Sequence, residues 1–98
     1  MNTLTVTITS PEAMNTIEDF NLTGGALLAS DARFNDVYYH HYLKDNNLVG
    51  EKTLIDSNTM QITRTGFDDI QKVELENMYK DAAAVYQDNG WSATWVFE

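Results

Sequence analysis

The 98-residue chain contains no cysteine. That excludes a disulfide framework, a thiolate zinc site and a cysteine nucleophile, and it fits a reducing compartment. There is one proline, Pro11, and no low-complexity tract or internal repeat. Long apolar runs are missing as well. The longest, Ala26-Leu27-Leu28-Ala29, falls far short of the roughly 20 residues that span a bilayer. The opening Met1-Asn2-Thr3-Leu4-Thr5-Val6 lacks the basic-then-apolar pattern of a signal peptide. The expected location is therefore the cytoplasm, with no membrane association. The opening Met1, with no affinity tag, suggests a complete small reading frame. Basic residues are also scarce: six Lys and Arg against fifteen Asp and Glu give a formal net charge of −9. Such a chain is repelled by nucleic acid and anionic lipid. Its expected charged partners are basic: cations, polyamines or a basic protein, with a nucleic-acid-handling complex as the concrete case.

What is present is a folding composition. With 43% hydrophobic and 11% aromatic residues, the chain reads as one domain, 1–98. Thr3 to Thr9 alternates strictly, with Leu4, Val6 and Ile8 on one side and threonines on the other, as in a half-buried strand. Ser10-Pro11-Glu12 has the residue types of a helix start, and Ala13, Met14, Ile17 and Phe20 follow as a short apolar stripe. Thr23-Gly24-Gly25 is expected to break that helix.

Residues 26–47 admit two readings. Ser30-Asp31 resembles a second helix start, and Phe34, Val37, Tyr38, His41 and Tyr42 recur at helical spacing before Asn46-Asn47. Val37 to Tyr42 also has strand composition. Helix is preferred. Lys52–Ile55 and Thr59–Thr65 flank Asp56-Ser57-Asn58 as a hairpin that ends at Gly66. From about Phe67 to Asp88 runs the clearest helix, with Phe67, Ile70, Leu75, Met78, Ala82, Val85 and Tyr86 on one side and Asn89-Gly90 as its stop. A last strand places Trp91, Ala93, Trp95 and Phe97 inward.

The expected class is α+β: a two-layer antiparallel sheet with helices on one face. Leaving out the short first helix, the order is strand, helix, strand, strand, helix, strand, that of the split βαβ, or ferredoxin-like, arrangement. The first and last strands would then be near neighbours, and Thr3, Thr5, Thr7, Thr63, Thr65 and Thr94 would line an open face. If residues 36–43 are a strand, the alternative is an antiparallel meander on the long helix.

No catalytic or cofactor motif emerges. Asp36 with His40, and His41 with Asp45, can pair at four-residue spacing on a helix, but a metal needs more ligands and no further histidine or cysteine exists. Gly24-Gly25 lacks both the phosphate-loop lysine and the dinucleotide spacing. Ser10, Ser30, Ser57 and Ser92 sit in cap, turn or strand contexts. Glu18-Asp19 and Asp68-Asp69 are sequence neighbours that do not share a helix face.

Two groups remain as partner-binding candidates. Tyr38, Tyr39 and Tyr42, with Phe34, form an aromatic patch suited to core packing or to a protein interface. Glu74, Asp81 and Asp88 fall on one line of the long helix, about 10.5 Å apart at 1.5 Å rise per residue, with no base three or four residues away within that helix. Glu76, by contrast, can pair with Lys72 and Lys80, and Asp68 with Lys72. The acidic row suits a basic partner; the competing reading is a solvated face.

Three functions follow. The first is a non-enzymatic interaction module that blocks a basic site, in the manner of small acidic phage or mobile-element inhibitors such as anti-CRISPR and anti-restriction DNA mimics. That comparison is an analogy of size and charge only. The second is an assembly subunit, including a homo-oligomer, acting through the tyrosine patch or a sheet edge. The third is a ligand-binding domain or small enzyme, which would need a cleft holding His40 or His41 beside a carboxylate.

Overall fold

The computed structural model describes residues 2–98. The alternating threonine segment forms β1 (Thr3–Thr9), with Leu4, Val6 and Ile8 buried. It is followed by α1 (Ile17–Ala29), α2 (Asp36–Asp45), β2 (Glu51–Asp56), β3 (Thr59–Thr65), α3 (Asp69–Asp88) and β4 (Ser92–Phe97). The four strands form one antiparallel sheet in the order β2-β3-β1-β4. That is the strand order of a split βαβ sheet, here with two helices in the first crossover. The first and last strands are direct neighbours, Val6 opposite Trp95 and Thr7 opposite Thr94.

The period-two alternation of β1 and β3 divides the sheet into two faces. Leu4, Val6, Ile8, Met60 and Ile62 point into a core completed by Phe20 of α1 and by Leu75, Met78, Ala82 and Val85 of α3. The opposite face carries Thr5 opposite Thr63 and Thr7 opposite Gln61. The class is thus α+β, with a four-stranded antiparallel sheet and three helices. Segment 36–45 is helical, so the meander alternative does not apply.

Several local expectations are corrected. The first helix starts at N-cap Thr16, whose hydroxyl accepts from the Asp19 amide, and not at Ser10-Pro11. Ser10 is buried instead: its amide donates to the Asn58 carbonyl, and its hydroxyl accepts from the Glu12 amide. That pins residues 10–14 to the β2–β3 turn. Gly24 and Gly25 lie inside α1 and do not end it. A Cβ at Gly24 would meet the Trp91 ring at 3.3 Å, so close packing selects glycine there against its low helix propensity. Ser30 caps the C-terminus of α1, and α2 begins from Asn35, whose side chain accepts from the Tyr38 amide. Ile70, placed on the core stripe by its spacing, is 82% exposed. Val37 is also exposed, and Tyr39 takes the buried position of α2.

Two helix ends share one geometry that positions later side chains. At α3 the Gly90 amide donates to the Gln87 carbonyl and the Trp91 amide to the Tyr86 carbonyl, with Gly90 at φ 79. At α2 the Asn47 amide donates to the Lys44 carbonyl and the Leu48 amide to the Leu43 carbonyl, with Asn47 at φ 59. Both are the paired-bond helix stop that needs a left-handed residue, glycine in one case and asparagine in the other. The first stop stacks Trp91 on Tyr86 at 5.6 Å. The second buries Leu48 and turns its carbonyl toward Arg64.

Candidate functional site

The fold brings the two partner-binding candidate sets onto one surface, where α2 and the turn before it lie along α3. Asp68 and Gln71 start α3 with a reciprocal capping box, which fixes its first turn. Further along, each acid of the row faces a donor group from residues 33–39. Asp88 takes an ion pair from Arg33 at 2.7 Å. Asp81 accepts from the Tyr39 hydroxyl at 3.3 Å. Glu74, whose carboxylate favours the neutral phenol, is the main cause of the raised pKa of Tyr38. The row that has no base within its own helix thus has tertiary partners.

The titration behaviour follows from these contacts. Arg33 also clamps Asp31 through its Nε and Nη2, at 3.1 and 2.8 Å. That hydrogen-bonded pairing holds Asp31 down at about 2 against an ordinary 3.8. These ion pairs are solvent-exposed and contribute little to stability. Burial pushes Tyr39 up to about 12, helped by the negative charges of Asp81 and Glu74. Burial, then Glu74 and Asp68, also raises Tyr42. Tyr38 and Tyr42 stack with centroids 6.0 Å apart, and Tyr38 meets the edge of Tyr39 at 5.1 Å. Tyr39 itself is buried, whereas Tyr38 is 45% exposed, so Tyr38 is the ring this surface offers to a partner. Lys72 does not pair with Glu76. Its ammonium lies over the Phe97 ring at 5.1 Å, while Lys80 holds Glu76 at 3.3 Å.

A second feature is a cleft of about 270 Å³ between the helices and the sheet. Its apolar part is formed by Phe20, Leu28, Phe34, Met78 and Trp91. At its sheet end stands Arg64, on β3 at the core-facing parity of Met60 and Ile62 and only 7% exposed. The Nε of Arg64 donates to the Tyr79 hydroxyl at 3.0 Å, and Nη1 donates to the Leu48 carbonyl at 2.7 Å. Lys52, across from Ile62 in the β2–β3 ladder, also lines the cleft. Loss of solvent there, and the nearby Arg64 charge, lower its pKa. Burial raises Tyr79, against the opposing pull of Arg64. His40 and Asp36, one turn apart on α2, line the same cleft. Sequence reasoning missed Arg64. The available signal was its position in the alternation of β3, where a charge falls in a series of apolar residues.

The remaining candidates are dispersed. His40 and His41 stand 6.1 Å apart ring to ring, and His41 is not part of the cleft. Among the described residues, no group of three His, Cys, Asp or Glu side chains is arranged to hold a metal ion. Glu18, Asp19, Asp68 and Asp69 are exposed. Among the described residues, no serine, threonine or cysteine lines the cleft. Among the described residues, no helix is long and apolar enough to cross a membrane. No protein-family model matches the chain, and no curated protein matches it.

Proposed function

We propose that the chain is a non-enzymatic interaction module that binds a basic protein through the α2–α3 surface. The carrying observation is the side-by-side arrangement of Tyr38 and Tyr42 with Glu74, Asp81 and Asp88. An aromatic centre with a charged rim is the usual make-up of a protein interface. The rim here is acidic, as is the chain as a whole, so a basic partner gains both attraction and faster encounter. The finer form of the proposal is an inhibitor of phage or mobile-element type that occupies the nucleic-acid site of such a partner. The row's spacing of about 10.5 Å per acid is much sparser than one charge per ~1.7 Å of duplex axis. Occupation of a basic site is thus better supported than close imitation of a duplex.

The test is affinity capture from a lysate of the source cells at low and high salt. It compares the wild-type chain with a Glu74→Gln, Asp81→Asn, Asp88→Asn variant. These changes remove charge but keep an acceptor oxygen for Tyr39 and Arg33. We expect a basic protein to be captured at low salt, and to be lost both at high salt and by the variant. Equal capture by a folded variant would overturn the proposal.

An assembly role is the second reading, favoured by the sheet edges. β2 and β4 each pair on one side only, and the exposed Ile55 and Val96 lie on them. Mass measured by light scattering over a range of concentrations separates the two, since assembly through an edge increases with concentration.

A further inference from the structure

Three of the chain's six lysines and arginines, Lys44, Lys52 and Arg64, border two neighbouring hollows. The cleft described above shares His40, Leu43, Lys52 and Arg64 with the wall of a second hollow of about 260 Å³, which adds Lys44. The other three bases are occupied: Arg33 by Asp31 and Asp88, Lys80 by Glu76, and Lys72 over Phe97. Among the described residues, no carboxylate is within ion-pair distance of Lys44, Lys52 or Arg64. In a chain with more than twice as many acids as bases, charge alone does not account for that segregation.

Arg64 is the decisive group. A buried guanidinium is normally matched by a carboxylate, because an unmatched charge is costly to desolvate. This one has five N–H donors, and only two find protein acceptors, both of them neutral. Among the described residues, none accepts a hydrogen bond from Nη2, the remaining arm of the fork. The Tyr79 hydroxyl and Leu48 carbonyl hold the guanidinium in place, so its free donors are organised before anything binds.

We infer that this cleft binds a small organic monocarboxylate, with its carboxylate on Arg64 and Lys52 and its apolar body among Phe20, Phe34, Met78 and Trp91. The planar fork of Arg64 suits a carboxylate, and Lys52 adds a second charge from the neighbouring strand. The 270 Å³ volume is somewhat under twice that of the roughly 150 Å³ apolar cavity that takes up benzene. A single ring or branched chain bearing a short acidic arm fills such a space. Asp36, on α2, lines the same cleft and disfavours a second negative charge, so a monoanion fits better than a phosphate ester. The site is separate from the outward-facing acids of α3 and does not depend on their partner.

The test is a nuclear magnetic resonance titration with phenylacetate, benzoate and 3-methylbutanoate. The neutral 2-phenylethanol and inorganic phosphate serve as comparisons. We expect at least one of the carboxylates to saturate with a Kd below about 1 mM, shifting the Arg64 Nε–H and Trp91 indole signals. The alcohol and phosphate should bind about tenfold more weakly or not at all. Because Arg64 is buried, substitutions elsewhere carry the test. Lys52→Gln lies on an exposed edge strand and should weaken binding several-fold. Gly25 lines the cleft, and a Cβ there meets nothing within 4 Å. Gly25→Leu should therefore fill the apolar end and abolish binding without lowering the melting temperature. Failure of all three carboxylates to saturate would overturn the inference. So would equal binding of the alcohol, tighter binding of phosphate, or unchanged affinity in both variants.

Discussion

Gly24 and Gly25 are adjacent in α1, yet the same substitution should act in opposite directions at the two. In a helix interior, replacing glycine by alanine stabilises by about 0.5–1 kcal/mol, because alanine loses less backbone entropy on folding. At Gly25 the added methyl meets nothing within 4 Å, so the gain should be realised in full. For a domain of this size, that is a rise in Tm of roughly 2–8 °C. At Gly24 the methyl meets Trp91 at 3.3 and 3.6 Å and the Tyr86 hydroxyl at 3.5 Å. The Trp91 ring cannot easily move away. It stacks on Tyr86 at 5.6 Å and meets Phe20 edge-on at 5.5 Å. Overpacking of a tight core costs about 1–3 kcal/mol, more than the entropic gain, so Gly24→Ala should be net destabilising. Gly24→Val adds β-branching and bulk and should destabilise further. Urea melts of the two alanine variants beside the wild type measure the difference at constant m. If Gly24→Ala stabilises as much as Gly25→Ala, the close approach of α1 to Trp91 is not what requires glycine there.

Two further expectations concern the long helix and its contacts. Leu75→Ala, at a site with no exposed area, should cost about 2–5 kcal/mol, whereas Ile70→Ala, at a site 82% exposed, should stay within about 0.5 kcal/mol. Urea melts of both read the contrast, and equal losses would contradict the placement of Ile70. Tyr39, raised from 10.0 to about 12, is favoured in its neutral form by the fold. Its contribution to stability is therefore complete below pH 10.0 and is lost as pH rises through about 12. Near-ultraviolet absorbance of the phenolate should show this late ionisation, and Asp81→Asn should shift it to lower pH by removing a neighbouring negative charge.

Much of the fold was legible because short-range patterns carried it. The alternation of Thr3–Thr9 fixed both the strand and its buried face. The turn residues between Ile55 and Thr59 marked the hairpin, and the apolar spacing of Leu75, Met78, Ala82 and Val85 marked α3. Asn89-Gly90 marked the stop of α3, because a left-handed residue is a local requirement. The errors occurred where a distant side chain outweighed a local preference. Gly24 reads as a breaker until Trp91 is brought against it. Ser10 reads as a cap until Asn58 takes its amide. Asn35, not Ser30, starts α2, since both residue types cap equally well and packing selects between them.

The site residues divide in the same way. Composition and spacing alone determined the acidic charge, the α+β class, and the line formed by Glu74, Asp81 and Asp88 on one helix. Periodicity along a helix reports neighbours three and four residues away, so it could not show that Arg33 and Tyr39 face Asp88 and Asp81 across 42 to 55 positions of chain. Nor could it show that Lys52 and Arg64 meet in one apolar cleft, with Lys44 on the hollow beside it. Those three come from a helix and two strands, and only the tertiary fold brings their charges together. Local sequence sets backbone preference and the parity of each side chain, while long-range packing alone sets which charges become neighbours.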